Sequence, residues 1–440
     1  MITLADKKEE RARGVALKVL QEVFEKGAYS NIALNKELQA SQLSQADKGL
    51  VTELVYGTVA RKITLELYLA HEIPDRDQLD SWVYHLLLLS LYQLLYLDKI
   101  PNHAVVNEAV NLAKRAKGTD KYVNAVLRAF LKKPLPDIAS IKRKNKRLSV
   151  QYSAPVWLVA TLIEEYGQER AEAILASLFI RNKASVRVTD LSKVDELART
   201  LEAEKSALSP VGLVKASGHF AGSQAFKDGL ITIQDETSQL VAPTLQLEGW
   251  EEVLDACAAP GGKTCHIASY LTNGQVIALD LYDHKLRLIE ENAQRLGVGQ
   301  QVRTQNLDAR QVAEVFGPDR FDKILVDAPC SGIGLIRRKP DIKYNKESAD
   351  FDQLQEIQLA ILDSVCQSLK KGGIITYSTC TIVGKENQDV IAKFLERHPN
   401  FEQVALTHAC SNIVQDGCIL ITPEQYLTDG FFIGQVRKKS

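Results

Sequence analysis

The chain of 440 residues has no apolar run long enough to cross a membrane. Its longest, Leu86 to Leu97, is about twelve residues and is interrupted by Ser90 and Gln93, against the roughly 20 that a span requires. A buried helix is expected there instead. The opening Met1–Gly14 carries charge but no apolar h-region, so it is not expected to be a secretory signal. Seven cysteines include no CxxC pair, which argues against a disulfide framework and against a structural zinc site. No metal is expected, and a reducing cytoplasm is the expected compartment. Low-complexity tracts are absent too, and 440 residues exceed one ordinary core, so two or three globular domains are expected.

Net charge is also nearly absent, at −1, yet it is unevenly spread: residues 1–150 sum to +7 and residues 151–440 to −8. The positive charge gathers between Lys114 and Arg147 and ends in Ile141-Lys-Arg-Lys-Asn-Lys-Arg147. Such a cluster suits nucleic-acid phosphates, because neutralising them releases counterions; a solvated linker is the plainer alternative.

The first ~135 residues carry helical periodicity. Val106, Ala109, Val110, Ala113 and Ala116 share one stripe of a helix over 103–117, with Lys114, Arg115 and Lys117 outside it. Tyr122–Leu131 gives another helix, and Pro134 and Pro136 open a linker expected over 134–147. Helices Tyr152–Glu165, Gln168–Leu178 and Val194–Leu201 with strands Ser185–Val188 and Leu230–Ile233 suggest a small α/β domain. From about Gly249 the pattern changes. Strand-like Val253–Ala256, Val276–Asp280, Val302–Asn306, Lys323–Asp327 and Ile374–Ser378 alternate with helix-length segments such as Lys263–Leu271 and His284–Leu296, predicting a doubly wound parallel sheet. Ligands of such sheets sit at the carboxyl ends of the strands.

The first of these strands runs into Asp255-Ala-Cys-Ala-Ala-Pro-Gly-Gly-Lys-Thr264, where small residues let the backbone approach a ligand. Asp280 ends the second strand, where a carboxylate can accept both hydroxyls of an adenosine ribose, and Asp308 follows the third. A P-loop is the rival reading, since Gly262-Lys-Thr264 matches its end and Ile324–Asp327 resembles a Walker B strand. Its first glycine, however, would fall at Cys257.

Two cysteines directly follow strands: Cys330 in Val326-Asp-Ala-Pro-Cys330 and Cys380 in Tyr377-Ser-Thr-Cys380. Free cysteines are usually small core hydrophobes, but strand ends deliver side chains to the ligand crevice. Carbon 5 of cytosine needs such a group. It is too weak a nucleophile to take a methyl from a sulfonium until a thiolate adds at carbon 6 and makes it enamine-like. Asp327 is placed to act on ring N3, and Lys263 or a helix N-terminus could favour the thiolate. Arg337-Arg-Lys339 is expected on the rim as a phosphate contact. A flipped or looped base is the easier substrate.

Together, 255–264, Asp327-Ala-Pro-Cys330, Thr379-Cys380, Gln234–Ser238 and Asp429-Gly-Phe-Phe432 resemble the RNA 5-methylcytosine methyltransferase family over about 230–440. Leu91–Leu95, Ile100-Pro101, Val106–Val110 and Tyr122–Val126 are similar to the antitermination factor NusB. The resemblance implies a multidomain chain: 1–140, an all-α NusB-like domain; 141–235, a small RRM-like α/β domain with the basic linker; 236–440, a Rossmann-like doubly wound domain that binds S-adenosyl-L-methionine. It further implies 16S rRNA as substrate, with tRNA or another rRNA as the alternative. Cys257, Ala258, Ala259, Pro260, Gly261, Gly262, Lys263, Asp280, Asp308 and Asp327 carry over as the cofactor-binding set, Cys380 as the nucleophile and Cys330 as the cysteine assisting release. Thr381 stands where the family often has Ser, and Asn306-Leu-Asp308 lacks a glycine common before the Asp. A monomer is expected. A non-enzymatic RNA-binding protein would have no use for the paired cysteines, and a DNA cytosine methyltransferase would use a single Pro-Cys nucleophile at Cys330.

Overall fold

The computed structural model describes residues 11–440 apart from 74 and 219. They form two compact units, one drawn from the described residues up to Phe179 with Arg338–Glu347, the other from Ile180–Arg337 with Ser348–Ser440.

The first unit is helical, from α1 (Ala12–Lys26) through α2 (Ser30–Ala40), α3 (Gln45–Ala60), α4 (Lys62–Ala70), α5 (Ser81–Tyr96), α6 (Asn102–Ala113) and α7 (Thr119–Lys132). The apolar run predicted to be a buried helix is α5, in which every residue from Val83 to Gln93 is buried. A helix apolar all round has to sit inside a bundle. Two further helices, α8 (Lys144–Gln151) and α9 (Val156–Ser177), belong to this unit rather than to the next. The expected boundary at 140 differs from this grouping for a local reason: Ser153 accepts the Ile63 N–H at 2.9 Å, and Leu148 and Val150 are buried. The expected linker 134–147 is helical from Lys144, and Gly167, at φ 74°, breaks α9 where a gap between two helices was predicted. Arg338–Glu347 also packs here. Lys343 Nζ donates to the carbonyl of Ala60 at 2.7 Å and Tyr344 OH to that of Val59 at 2.9 Å, at the end of α3 where carbonyls lack helical partners.

The second unit begins with a small antiparallel sheet, β1 (Ala184–Val188), β2 (Glu204–Lys205), β3 (Gly212–Lys215) and β4 (Ile231–Ile233), in the order 2-3-1-4. Helix α10 (Val194–Thr200) follows β1, and a short helix, Gln224–Lys227, precedes β4.

The remainder builds one nine-stranded sheet. Strands β5 (Glu252–Asp255), β6 (Gln275–Asp280), β7 (Val302–Asn306), β8 (Phe321–Asp327) and β9 (Leu369–Thr379) are parallel. β10 (Phe401–Gln403), β11 (Val414–Gln415), β12 (Cys418–Ile421) and β13 (Phe431–Lys438) complete it antiparallel, in the order 11-12-13-9-8-5-6-7 with β10 on β13. Helices α11 (Gly262–Ala268), α12 (Asp283–Arg295), α13 (Asp350–Val365) and α14 (Gln388–Arg397) lie between strands. Val253, Leu254, Val276, Ala278, Ile324, Leu325 and Val326 are fully buried, the near-continuous apolar runs of strands covered on both faces. The five predicted strands are present, β9 starting five residues early. The sheet is mixed rather than wholly parallel, because the last 40 residues return as hairpins. Strand order reverses between β5 and β8, so their carboxyl ends open a crevice. Among the described residues, no helix is long and apolar enough to cross a membrane.

Candidate active site

A cleft of about 400 Å³ lies at that reversal, lined by Ala256, Cys257, Ala259, Asp280, Asp308 and Asp327, with Leu281, Pro329, Ile357 and Ile361 supplying an apolar wall. Three aspartates thus meet in one cavity although 47 residues of chain separate the first from the last. Gly261, at φ 97°, turns the chain after Pro260, and a Cβ there would lie 3.0 Å from Ile289 Cα. Gly262 faces open space, the nearest atom to a Cβ being Gln234 Nε2 at 3.9 Å. The loop is therefore a cradle in which backbone is exposed to a ligand.

Asp280 keeps its carboxylate in the cleft, receiving the Tyr282 N–H at 3.2 Å with Lys285 Nζ 3.6 Å away. Asp308 accepts from its own turn at Arg310 N, at 3.0 Å, and from the Arg310 guanidinium at 2.5 Å, which hold its carboxyl below the usual range. Beneath the loop Asp255 is fully buried and receives the Thr264 hydroxyl at 2.7 Å. Burial pushes its carboxyl up to about 7 against that hydrogen bond.

Asp327 ends β8 between a cation and a hydroxyl: Lys263 Nζ donates to Oδ2 at 2.8 Å and Ser378 Oγ to Oδ1 at 2.8 Å. Burial alone would lower the Lys263 amine; the Asp327 carboxylate reverses that and raises it. Lys263 is committed to this pair.

Cys330 and Cys380 come together, Sγ to Sγ at 3.1 Å, 50 residues apart in sequence. The Cys330 thiol is pushed well up, first by its hydrogen bond to Cys380 and then by burial, so Cys330 keeps its proton. Both cysteine loops are locked against the last strand: Gly334 N–H donates to the Cys380 carbonyl at 3.0 Å and Gly430 N–H to the Gly334 carbonyl at 2.9 Å. One expectation fails. Arg337 is buried and donates to the Pro423 carbonyl rather than standing on the rim, and Arg338 and Lys339 belong to the helical unit.

Sequence reasoning missed a second row of residues behind the cysteines. Glu386 and Asn387 are fully buried and hydrogen-bond to the residues flanking Cys330 and Cys380. Their only signal was a polar pair, one acid and one amide, six and seven residues after a proposed nucleophile.

Comparison with known proteins accords with this geometry. Residues 242–437 match the family described as 16S rRNA methyltransferase RsmB/F, and residues 10–132 match the NusB family. A probable ribosomal RNA small subunit methyltransferase B of Bacillus subtilis (strain 168) is 42% identical over 98% of this chain and 100% of its own. The chain belongs to the ribosomal RNA small subunit methyltransferase B family. The Shewanella oneidensis member of the family is 33% identical over 97% of this chain and 99% of its own. Among solved structures, the crystal structure of PH0851 is 26% identical and superposes with a TM-score of 0.83 over 98% of each chain. That of NSun6 from Pyrococcus horikoshii with SFG shares the fold, with a TM-score of 0.57 over 65% of this chain and 98% of its own at 23% identity. Family membership accounts for the helical unit and the mixed-sheet unit together, and it removes the P-loop reading.

Proposed function

We propose that this chain methylates carbon 5 of a cytosine in 16S rRNA through a covalent bond between Cys380 and cytosine carbon 6. The observation that carries the reading is the pairing of Cys330 with Cys380 at 3.1 Å, behind strand ends that also form the cleft.

S-adenosylmethionine is the cofactor, and the residues present fit it. Asp280, whose contacts to Tyr282 and Lys285 both fall on Oδ1, offers Oδ2 to the ribose hydroxyls, Leu281, Ile357 and Ile361 an apolar wall to a purine, and the open backbone at Gly262 a close approach. When bound it supplies an electrophilic methyl group. The chain's own task is to make carbon 5 nucleophilic. The Cys380 thiolate forms a bond to carbon 6 and moves an electron pair to carbon 5. The Cys330 S–H stabilises that thiolate before attack and again on departure, when the carbon 5 proton passes to water, the C5–C6 double bond re-forms and the C6–S electron pair returns to the Cys380 sulfur. Asp327, ion-paired as a carboxylate, accepts a hydrogen bond from the base's amino group or protonated N3.

Substrate contact falls to the other parts. Lys142, Arg143, Lys144 and Lys146 are exposed and suit phosphates. The β-α-β-β-α-β order of the small sheet supports an RRM-like reading of the middle module, residues 180–235. Seven free cysteines suit a cytoplasmic enzyme.

The test is incubation of wild type and Cys380→Ala with radiolabelled S-adenosylmethionine and undermethylated 16S rRNA. Label on carbon 5 of one cytosine with wild type and none with the variant is expected. Undiminished labelling by Cys380→Ala, or label on tRNA alone, would overturn the nucleophile or the substrate respectively.

A further inference from the structure

Two neighbouring buried residues reach both cysteine loops. Glu386 faces Cys330: it accepts the Ser331 N–H at 2.8 Å and the Ser331 hydroxyl at 2.5 Å. Gln358 on α13 donates to Glu386 at 3.2 Å and to the Pro329 carbonyl at 3.0 Å, so Cys330 is held from both sides. Asn387 faces Cys380: it accepts the Thr379 hydroxyl at 2.5 Å and donates to the Thr381 carbonyl at 3.0 Å, again one contact on each side of the cysteine. Ser331 Oγ and Thr381 Oγ1, 3.0 Å apart, join the two halves, and Tyr377 OH donates to the Glu386 carbonyl at 2.7 Å.

Burying a carboxylate is unfavourable unless its oxygens are hydrogen-bonded, and packing alone does not require one here. Every polar contact made by Glu386 and Asn387 side chains goes to a residue beside a cysteine or to Gln358. The Glu386 charge also helps keep Cys330 protonated, after the thiol's hydrogen bond to Cys380 and its burial.

We infer that Glu386 and Asn387 are positioning residues that divide the two cysteines between them: Glu386 sets Cys330 for release of the methylated base, and Asn387 sets Cys380 for attack. The inference rests on the covalent reading above. Because each clamps a different step, their loss has opposite signatures, which a merely structural role would not produce.

The experiment uses the full chain, an rRNA transcript and S-adenosylmethionine, and reads both turnover and the protein–RNA complex that survives denaturing electrophoresis. Cys330→Ala is the reference, since blocking release accumulates that complex. Glu386→Ala is expected to accumulate it likewise while kcat falls by about 100-fold, with KM for the cofactor unchanged. Glu386→Gln, which keeps an acceptor for the Ser331 N–H, should recover most of that loss. Asn387→Ala combined with Cys330→Ala should form the complex about 100-fold more slowly than Cys330→Ala alone. If both positions lose complex and turnover in step with lower Tm, or both behave as wild type, the division of roles is wrong. If Cys330→Ala forms no covalent complex, the covalent reading falls and this inference with it.

Discussion

Gly334 is the position at which a single methyl group should separate chemistry from cofactor binding. A Cβ there would lie 2.1 Å from the Gly430 carbonyl oxygen and 2.8 Å from that of Cys380, where ordinary contact begins at 3.4 Å. The obstructing atoms are backbone on all sides, so no side chain can rotate away. Relief of the closest contact requires an opening of 1.3 Å, the difference between 3.4 and 2.1 Å. That opening falls between the loop carrying Cys330 and Gly430, and the Cys380 carbonyl, at 2.8 Å, requires a further 0.6 Å at the strand end carrying Cys380; the hydrogen bonds at Gly334 N and O now hold both in register. A displacement of about 1 Å at reacting groups costs about 100-fold in rate. Overpacking of this size costs about 1–3 kcal/mol of stability, a fall of a few degrees in Tm for a unit of this length, so the variant folds. The cleft lining does not include 331–337, so cofactor affinity should be unchanged. Gly334→Ala is therefore expected to bind S-adenosylmethionine normally by calorimetry and to lose about 100-fold in single-turnover methyl transfer. Wild-type transfer, or weakened cofactor binding with intact transfer, would refute the argument that these backbones set the cysteine pair.

Gly262→Ala should do the reverse. Its Cβ meets nothing nearer than 3.9 Å, so the fold gains about 0.5–1 kcal/mol from replacing a helical glycine while cofactor affinity drops about tenfold, read as a melting curve and a binding isotherm. Asp255→Asn tests the buried carboxyl beneath the loop. Its folded value of about 7 lies above the unfolded value of about 3.9, so the native state binds the extra proton and wild-type stability falls as pH rises through that window. The penalty above pH 7 has a ceiling on the order of 4 kcal/mol. Asparagine retains an acceptor for Thr264, so urea unfolding should show the variant more stable than wild type at pH 8, with a flatter pH dependence; a variant weaker at pH 8 than at pH 5 relative to wild type would reverse the sign.

Much of the site was legible because it follows strand ends. Asp255, Asp280, Asp327 and Cys380 each end or directly follow a short apolar run, and a doubly wound sheet brings such positions to one edge whatever their spacing. The helical half was legible for a different reason: an all-apolar α5 and the amphipathic α6 leave few alternatives to a bundle. What stayed hidden is contact that no local pattern encodes. Arg337-Arg-Lys339 reads as a phosphate contact on the active-site rim, yet Arg337 turns inward to the Pro423 carbonyl, 86 residues away. Residues 144–177 read as part of an α/β domain by position alone, whereas Ser153 capping Ile63 N–H ties them to the bundle.

The same distinction explains why the glycines near the cysteines were overlooked. Gly334 and Gly430 are separated by 96 residues, and neither has a left-handed backbone that a turn pattern would betray. Gly430 was visible only as part of Asp429-Gly-Phe-Phe432, which resembled a closing strand. Its physical task is set by register: Phe432 pairs with Thr379, which brings Gly430 to the end of β9 beside the Cys380 loop. A side chain at 430 would lie 2.5 Å from Ile382 Cγ2 and 2.8 Å from Gly334 Cα. The antiparallel strands added after the parallel sheet are therefore more than a covered edge. They bring a bare backbone against the loops from β8 and β9, and Glu386 and Asn387 close the other side. The cysteine pair is fixed between a backbone ladder and a buried polar row, neither of which touches the cofactor cleft. That separation predicts that variants of the two layers will alter methyl transfer while leaving cofactor affinity in place.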